Sequence, residues 1–152
     1  MAEPRWLDDD EQRAWRAFLE MRKRLFTRLV QDHQQQFGLS SADYEILVNL
    51  SEAPTGRMRS FELCESTQWE KSRLSHHLKR MEHRGLVRRE ATDNARSPDF
   101  MLTEAGLTAI ANAAPAHAAN VRAWFVDALG PERLAQFAKD CEAISAAVDE
   151  KA

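Results

Sequence analysis

The chain has 152 residues, 43% hydrophobic and 30% charged, with a net charge of −3 and a pI near 6.0. That length suits a single domain, residues 1–152, with a core and a charged surface. No apolar run of about 18 residues occurs, which excludes a membrane-spanning helix. The N-terminal MAEPRWLDDDEQ lacks the apolar stretch of a signal peptide, so the chain is expected in the cytoplasm. Cys64 and Cys141 stand alone in helical patterns and are expected to be reduced and partly buried.

Residues 11–37 predict one long helix. Trp15, Phe18, Leu19, Arg22, Leu25, Phe26, Leu29 and His33 recur at offsets of 3, 4 and 7, and Gly38 marks the stop. Ser40 or Ser41 caps a second helix, ADYEILVNLSEA, which Pro54 and Gly56 end. Ser60 opens a short third helix. Thr67 and Glu70 have the spacing of a capping box ahead of a fourth. A two-stranded hairpin follows: LVRREA, the tip TDNARSP, then DFMLT, with Pro98 expected to shorten the second strand or confine it to an edge. Thr103 caps a fifth helix through about Leu129, which Pro115 is expected to kink. Gly130-Pro131 opens a sixth, whose apolar stripe includes Leu134, Phe137, Ile144 and Val148. The fold class is therefore mainly α with a small β-hairpin wing. Long amphipathic helices at both ends, with little central surface to receive them, point to burial in a symmetric homodimer.

The fourth helix and hairpin concentrate positive charge. Arg73, His76, His77, Arg80 and Arg84 fall on one helical stripe expected to face outward, while Leu74, Leu78 and Met81 form a second stripe facing the core. From Lys71 to Arg96 there are eight Lys/Arg and three Asp/Glu, a net +5, which leaves −8 for the rest of a chain whose total is −3. Such segregation is the footprint of a face that binds a polyanion, and a basic helix followed by a hairpin fits a winged helix-turn-helix. No HExxH, CxxC, nucleophile elbow or glycine-rich phosphate loop is present, so neither an enzyme, a metal site nor a cofactor is expected. Two rival readings are a winged helix used for protein contact, and a metal- or small-molecule-binding helical protein that does not bind DNA. Protein-contact modules have no need of uncompensated arginines on that stripe.

The chain resembles the MarR family of transcription regulators from about Asp10 to Val148. GLSSADYEIL, SRLSHHLKRMEHRGLV, the tip residues Asp93 and Arg96, LTEAG and APAHAANVR carry the resemblance together. WEKSRLSHHL is similar to a group common in actinobacteria. The resemblance implies a homodimer, with a DNA-binding lobe at 40–103 and dimerisation helices at 10–37 and 104–149. It also implies repression that responds to a small aromatic or other apolar effector. Peroxide-sensing members use a cysteine near the start of the first helix, and this chain has none there. Asp93 and Arg96 are three apart where many relatives have them two apart, and Pro98 and Asp99 interrupt the strand beyond.

In that frame the fourth helix enters the major groove of double-stranded DNA, N-terminal half nearest the bases. Arg73 is the candidate for reading guanine bidentately. Ser72, Ser75 and His76 are candidates for base or phosphate, and Lys79 and Arg80 for phosphate. Arg96 is the candidate for the minor groove. Arg88 and Arg89 alternate in a strand, so at most one faces DNA. Trp69 is expected to pack in the core and hold the turn. Candidate effector residues are Trp15, Phe18, Arg22, Ile46 and His117.

Overall fold

The computed structural model describes residues 3–93 and 97–151. By internal contacts the chain divides into two compact units, Met1–Ala114 and Pro115–Ala152.

In the first unit, α1 (Asp9–Phe37) starts two residues earlier than the apolar spacing indicates, because a polar capping box sets its beginning. Asp8 Oδ1 accepts from the Glu11 amide at 2.8 Å, and Glu11 Oε2 accepts from the Asp8 amide at 2.9 Å. Gly38, at φ 64°, ends it in the left-handed conformation expected of a glycine stop. Ser40, not Ser41, caps α2 (Ser41–Glu52), again through a reciprocal box, here with Asp43. Ala53 is extended because Pro54 follows it, and the helix stops.

Met58–Arg59 forms a short strand, β1, ahead of α3 (Ser60–Thr67). The capping box expected at Thr67 and Glu70 does not form. Thr67 Oγ1 instead donates to the Leu63 carbonyl at 2.7 Å and accepts from the Trp69 amide at 3.3 Å. Glu70 is the N-cap of α4 (Lys71–His83) but makes no side-chain cap bond. Gly85, at φ 76°, ends α4: its amide bonds to the Glu82 carbonyl and that of Leu86 to the Met81 carbonyl, a Schellman stop.

The sheet has three strands in the order β1-β3-β2, with β2 at Val87–Glu90 and β3 at Asp99–Leu102. The strand after Pro98 is therefore central rather than an edge, because β1 pairs on its other side through Met58–Phe100 and Arg59–Asp99. Pro98 is accommodated because it lies just outside β3, where the ladder needs no donor. Val87 pairs with Leu102 and Arg89 with Phe100, so these residues share one sheet face. Arg59, Glu90 and Asp99 share the other. There Arg57 lies 3.4 Å from Glu90 and 3.8 Å from Asp99, and Arg59 3.8 Å from Asp99.

The core is formed by α2, α3, α4, the sheet and the start of α5 (Glu104–Val121). Ile46, Leu47, Leu50, Leu63, Leu74, Leu78, Met81, Val87, Phe100 and Ile110 are buried in one cluster. α1 buries only Leu29 and His33, and it meets α2 where the His33 and Tyr44 ring centroids lie 4.2 Å apart. Thr103 Oγ1 accepts from the Gly106 amide at 3.1 Å and caps α5 as expected.

In the second unit, the helical path continues from Pro115 to a π-helical turn, Arg122–Val126, then α6 (Asp127–Leu129). Gly130 breaks the path and Pro131 opens α7 (Pro131–Asp149). Phe125 and Phe137 meet edge-on at 5.5 Å, yet no residue of α7 is buried, so Cys141 is exposed where partial burial was expected, while Cys64 on α3 is half-buried as expected. No helix among the described residues is long and apolar enough to cross a membrane.

Candidate nucleic-acid interface

α4 is an amphipathic helix whose two sides follow from its wheel. Leu74, Leu78 and Met81 face the core, as the spacing predicts. The outward basic stripe needs correcting at two of its five positions. His77 is buried and Arg84 is tied to α2. On the wheel His77 lies roughly 40° from Met81 and roughly 60° from Leu74, so it falls at the core margin. Both residues are drawn to Asp43, which α2 presents from the same position that completes its cap.

Asp43 is almost wholly buried. Its Oδ2 accepts from Arg84 Nη1 at 2.8 Å and from the Ser40 amide at 3.0 Å. Its Oδ1 lies 3.0 Å from His77 Nε2. That approach falls short of good hydrogen-bond geometry, and neither atom has another hydrogen-bond partner among the described residues. Burial alone would raise the Asp43 pKa. The bonds from Arg84 and the Ser40 amide, with the charges of Arg84 and His77, outweigh it and hold the carboxyl below its ordinary range.

For His77 burial dominates and lowers the pKa. Asp43 opposes that shift, while the Arg80 and Arg84 charges add to it. The ring is thus neutral at pH 7. Arg80 Nη2 donates to its Nδ1 at 3.0 Å, which assigns the ring proton to Nε2, facing Asp43.

What remains outward on α4 is a compact set. Ser72, Arg73, Ser75, His76, Lys79 and Arg80 are all exposed. Trp69 is half-buried, as a residue at the core margin, and it also supports Arg73. The Arg73 Cζ lies 4.1 Å from the Trp69 ring centroid. On the wing, Arg89 sits 5.5 Å from the Phe100 centroid and 3.9 Å from Glu82, which leaves Arg88 as the open cation of the alternating pair. Thr92 Oγ1 donates to the Ser97 carbonyl at 3.0 Å across the base of the tip. Arg96 lies outside the described residues.

The effector candidates are divided between the two units, four in the first and His117 in the second. Ile46 is fully buried in the core of the first unit. That follows from its place on the inner face of α2, beside Leu47 and Leu50. Trp15 and Phe18 stack on each other with centroids 5.7 Å apart and are exposed on α1, as is Arg22. His117 is half-buried in the second unit, and burial lowers its pKa. Among the described residues no group of three or more His, Cys, Asp or Glu could hold a metal.

The residue that sequence reasoning missed is Asp43. Its signal was present as the third residue after the Ser40 cap, but a capping role accounts for an acid there without any long-range partner.

Residues 37–96 match the MarR family. The whole chain is similar to AbsC, a MarR family transcriptional regulator from Streptomyces coelicolor, at 44% identity and a TM-score of 0.90, covering 97% of this chain and 99% of that one. It is also similar to Sco3205 from the same organism, a MarR family transcriptional regulator solved in complex with DNA. There identity is 33% and the TM-score 0.88, over 93% and 90% of the two chains. A mutant MarR from E. coli, complexed with operator DNA, shares the fold at 15% identity and a TM-score of 0.75, over 85% of this chain and 91% of that one. No curated protein matches the chain.

Proposed function

Because the chain belongs to the MarR family of transcriptional regulators, we propose that it is a cytoplasmic, ligand-responsive homodimeric repressor that binds a pseudo-palindromic operator. The observation that carries the DNA reading is the outward face of α4. Ser72, Arg73, Ser75, His76, Lys79 and Arg80 stand exposed there while Leu74, Leu78 and Met81 anchor the other side. A helix so anchored can lie in a major groove without losing its packing. Arg73 reads a guanine edge; Lys79 and Arg80 hold phosphates; Arg88, and Arg96 at the tip, extend the contact. Sco3205, similar over most of its length, was solved with DNA.

The dimer rests on apolar side chains left in the open. Phe26 is 58% exposed on α1, and Ile144 is 65% and Val148 63% on α7. Fully burying a side chain of that size is worth roughly 1.5–3 kcal/mol, and more than half of each is still wet, so covering them together by a second copy is favoured. Residues 10–37 and 104–149 then serve dimerisation and 40–103 the DNA lobe. An apolar aromatic effector acts through the Trp15–Phe18 stack with Arg22 one turn on. It favours a lobe spacing that does not fit the operator.

The test is selection of bound duplexes from a random pool, with sedimentation of the free protein. The expected results are a two-fold symmetric motif with half-sites about one helical turn apart and a species of twice 17.4 kDa. A monomer at low micromolar concentration, or a motif without symmetry, overturns the dimeric reading.

A further inference from the structure

Trp69 is held by its own turn before α4 begins. Gln68 takes a left-handed conformation at φ 57°, and Thr67 Oγ1 accepts the Trp69 amide proton. The indole packs against the core cluster and meets the His77 ring edge-on, with centroids 5.7 Å apart. His77 is itself fixed between Asp43 and Arg80. The indole is thus a rigid surface, and the Arg73 guanidinium lies over it at 4.1 Å.

Two features of a guanidinium over a ring bear on DNA reading. A guanidinium binds an aromatic ring through its flat face, while its five N–H groups point outward in its own plane. Stacking and bidentate donation to a guanine edge therefore do not compete. A free arginine also has many rotamers to lose when it docks, and a stacked one has fewer.

We propose that Trp69 is a positioning residue for base reading: its ring orders the Arg73 guanidinium before DNA arrives and leaves the in-plane N–H groups open to a guanine. This rests on the reading of Arg73 as the base contact. That reading is tested by R73A alone, and the ordering by the pair.

The experiment is a double-mutant cycle of W69L and R73A, titrated against a duplex selected from the random pool and a scrambled one. The ordering cost spared for one rotamer-rich side chain predicts that W69L weakens selected-duplex binding about 5-fold and scrambled binding under about 2-fold. Once R73A is present, W69L should add less than about 2-fold. W69F keeps a ring and should recover most of the loss. In the free protein the Arg73 Nε–H proton resonance should be displaced upfield by the indole ring current, and W69L should return it to the ordinary arginine position. If W69L proves unfolded, W69F decides through the same resonance, which should shift only part of the way.

An equal W69L loss with or without R73A, or on both duplexes, would reduce Trp69 to packing. Tighter binding by W69L would mean that the stack holds Arg73 away from the bases. An Arg73 resonance unmoved by W69L would remove the ordering itself. If R73A loses no selectivity, the base-contact reading fails first and the proposal falls with it.

Discussion

Arg73 and Arg84 lie on the same side of α4, about three turns apart, and the molecule uses them differently. Arg84 reaches a buried carboxylate on α2 at 2.8 Å. Arg73 lies over an aromatic ring, and its N–H groups have no hydrogen-bond partner among the described residues. The same contrast separates His77, buried between Asp43 and Arg80, from its exposed neighbour His76. A stripe that looks uniform in charge is therefore two regions, one that fastens α4 to α2 and one left open on the surface. The division is made by what α2 presents together with where His77 falls on the wheel of α4.

The strongest way to break this comparison is to remove the fastening. Asp43→Ala should lower folding stability by about 2–4 kcal/mol. That is toward the low end for a broken buried pair, because Arg84 is 43% exposed and water takes up part of its freed charge. Urea denaturation measures it; a loss under about 0.5 kcal/mol, as for an ordinary surface change, would show that the contacts fasten nothing.

On the other region Arg73→Ala should leave stability nearly unchanged and cost about 1–3 kcal/mol on a selected duplex, with specificity relaxed at one position. Arg84→Ala should do the reverse, and a matching loss of selectivity there would merge the two regions again. Lys79→Ala should be smaller and even, weakening selected and scrambled duplexes alike and lowering the salt slope by about one per protomer. A change confined to the selected duplex would make Lys79 a reader.

The mildest test is pH. His77 has a folded pKa below its ordinary value of about 6.5. Its contribution to stability is therefore complete above that value and declines as pH falls through it, since the unfolded chain takes up the proton first. His117, also lowered by burial, acts in the same direction. Asp43 acts lower, its contribution declining only below about 3.8. Urea midpoints should thus fall between pH 7.5 and 5, and H77N should flatten part of that slope. A profile that is flat in the unaltered protein would deny the neutral, buried state of His77.

Much of this was legible from residue spacing. The order of elements, the core stripe of α4, the glycine stops at Gly38 and Gly85 and the Thr103 cap follow from periodicity and local chemistry, which act over a few residues. What spacing could not reveal was settled across distance. Asp43 is 41 residues from Arg84, so nothing local distinguishes a tied arginine from a free one. β1 is two residues long, too short for any period, and its pairing with Phe100 and Asp99 moved the strand after Pro98 from edge to centre. Trp69 was expected in the core and is half there; its second role depends on a side chain one turn further on. Ile46 lies in the core for the reason its helix gives, and the wheel of α2 alone would have placed it there.

One contact at the base of the wing has a mechanical consequence. A Cβ built on Gly106 would lie 2.1 Å from the Leu86 carbonyl oxygen, so only glycine lets α5 come this close. At the same place the Thr103 hydroxyl donates to the Gly85 carbonyl, and the Thr103 amide to that of Leu86. The end of α4 and the start of α5 are thereby clamped at one point, with no side chain between them to yield. A push that tilts the start of α5 must swing α4 with it, as a crank turns with its shaft. Gly106→Ala would wedge that joint apart.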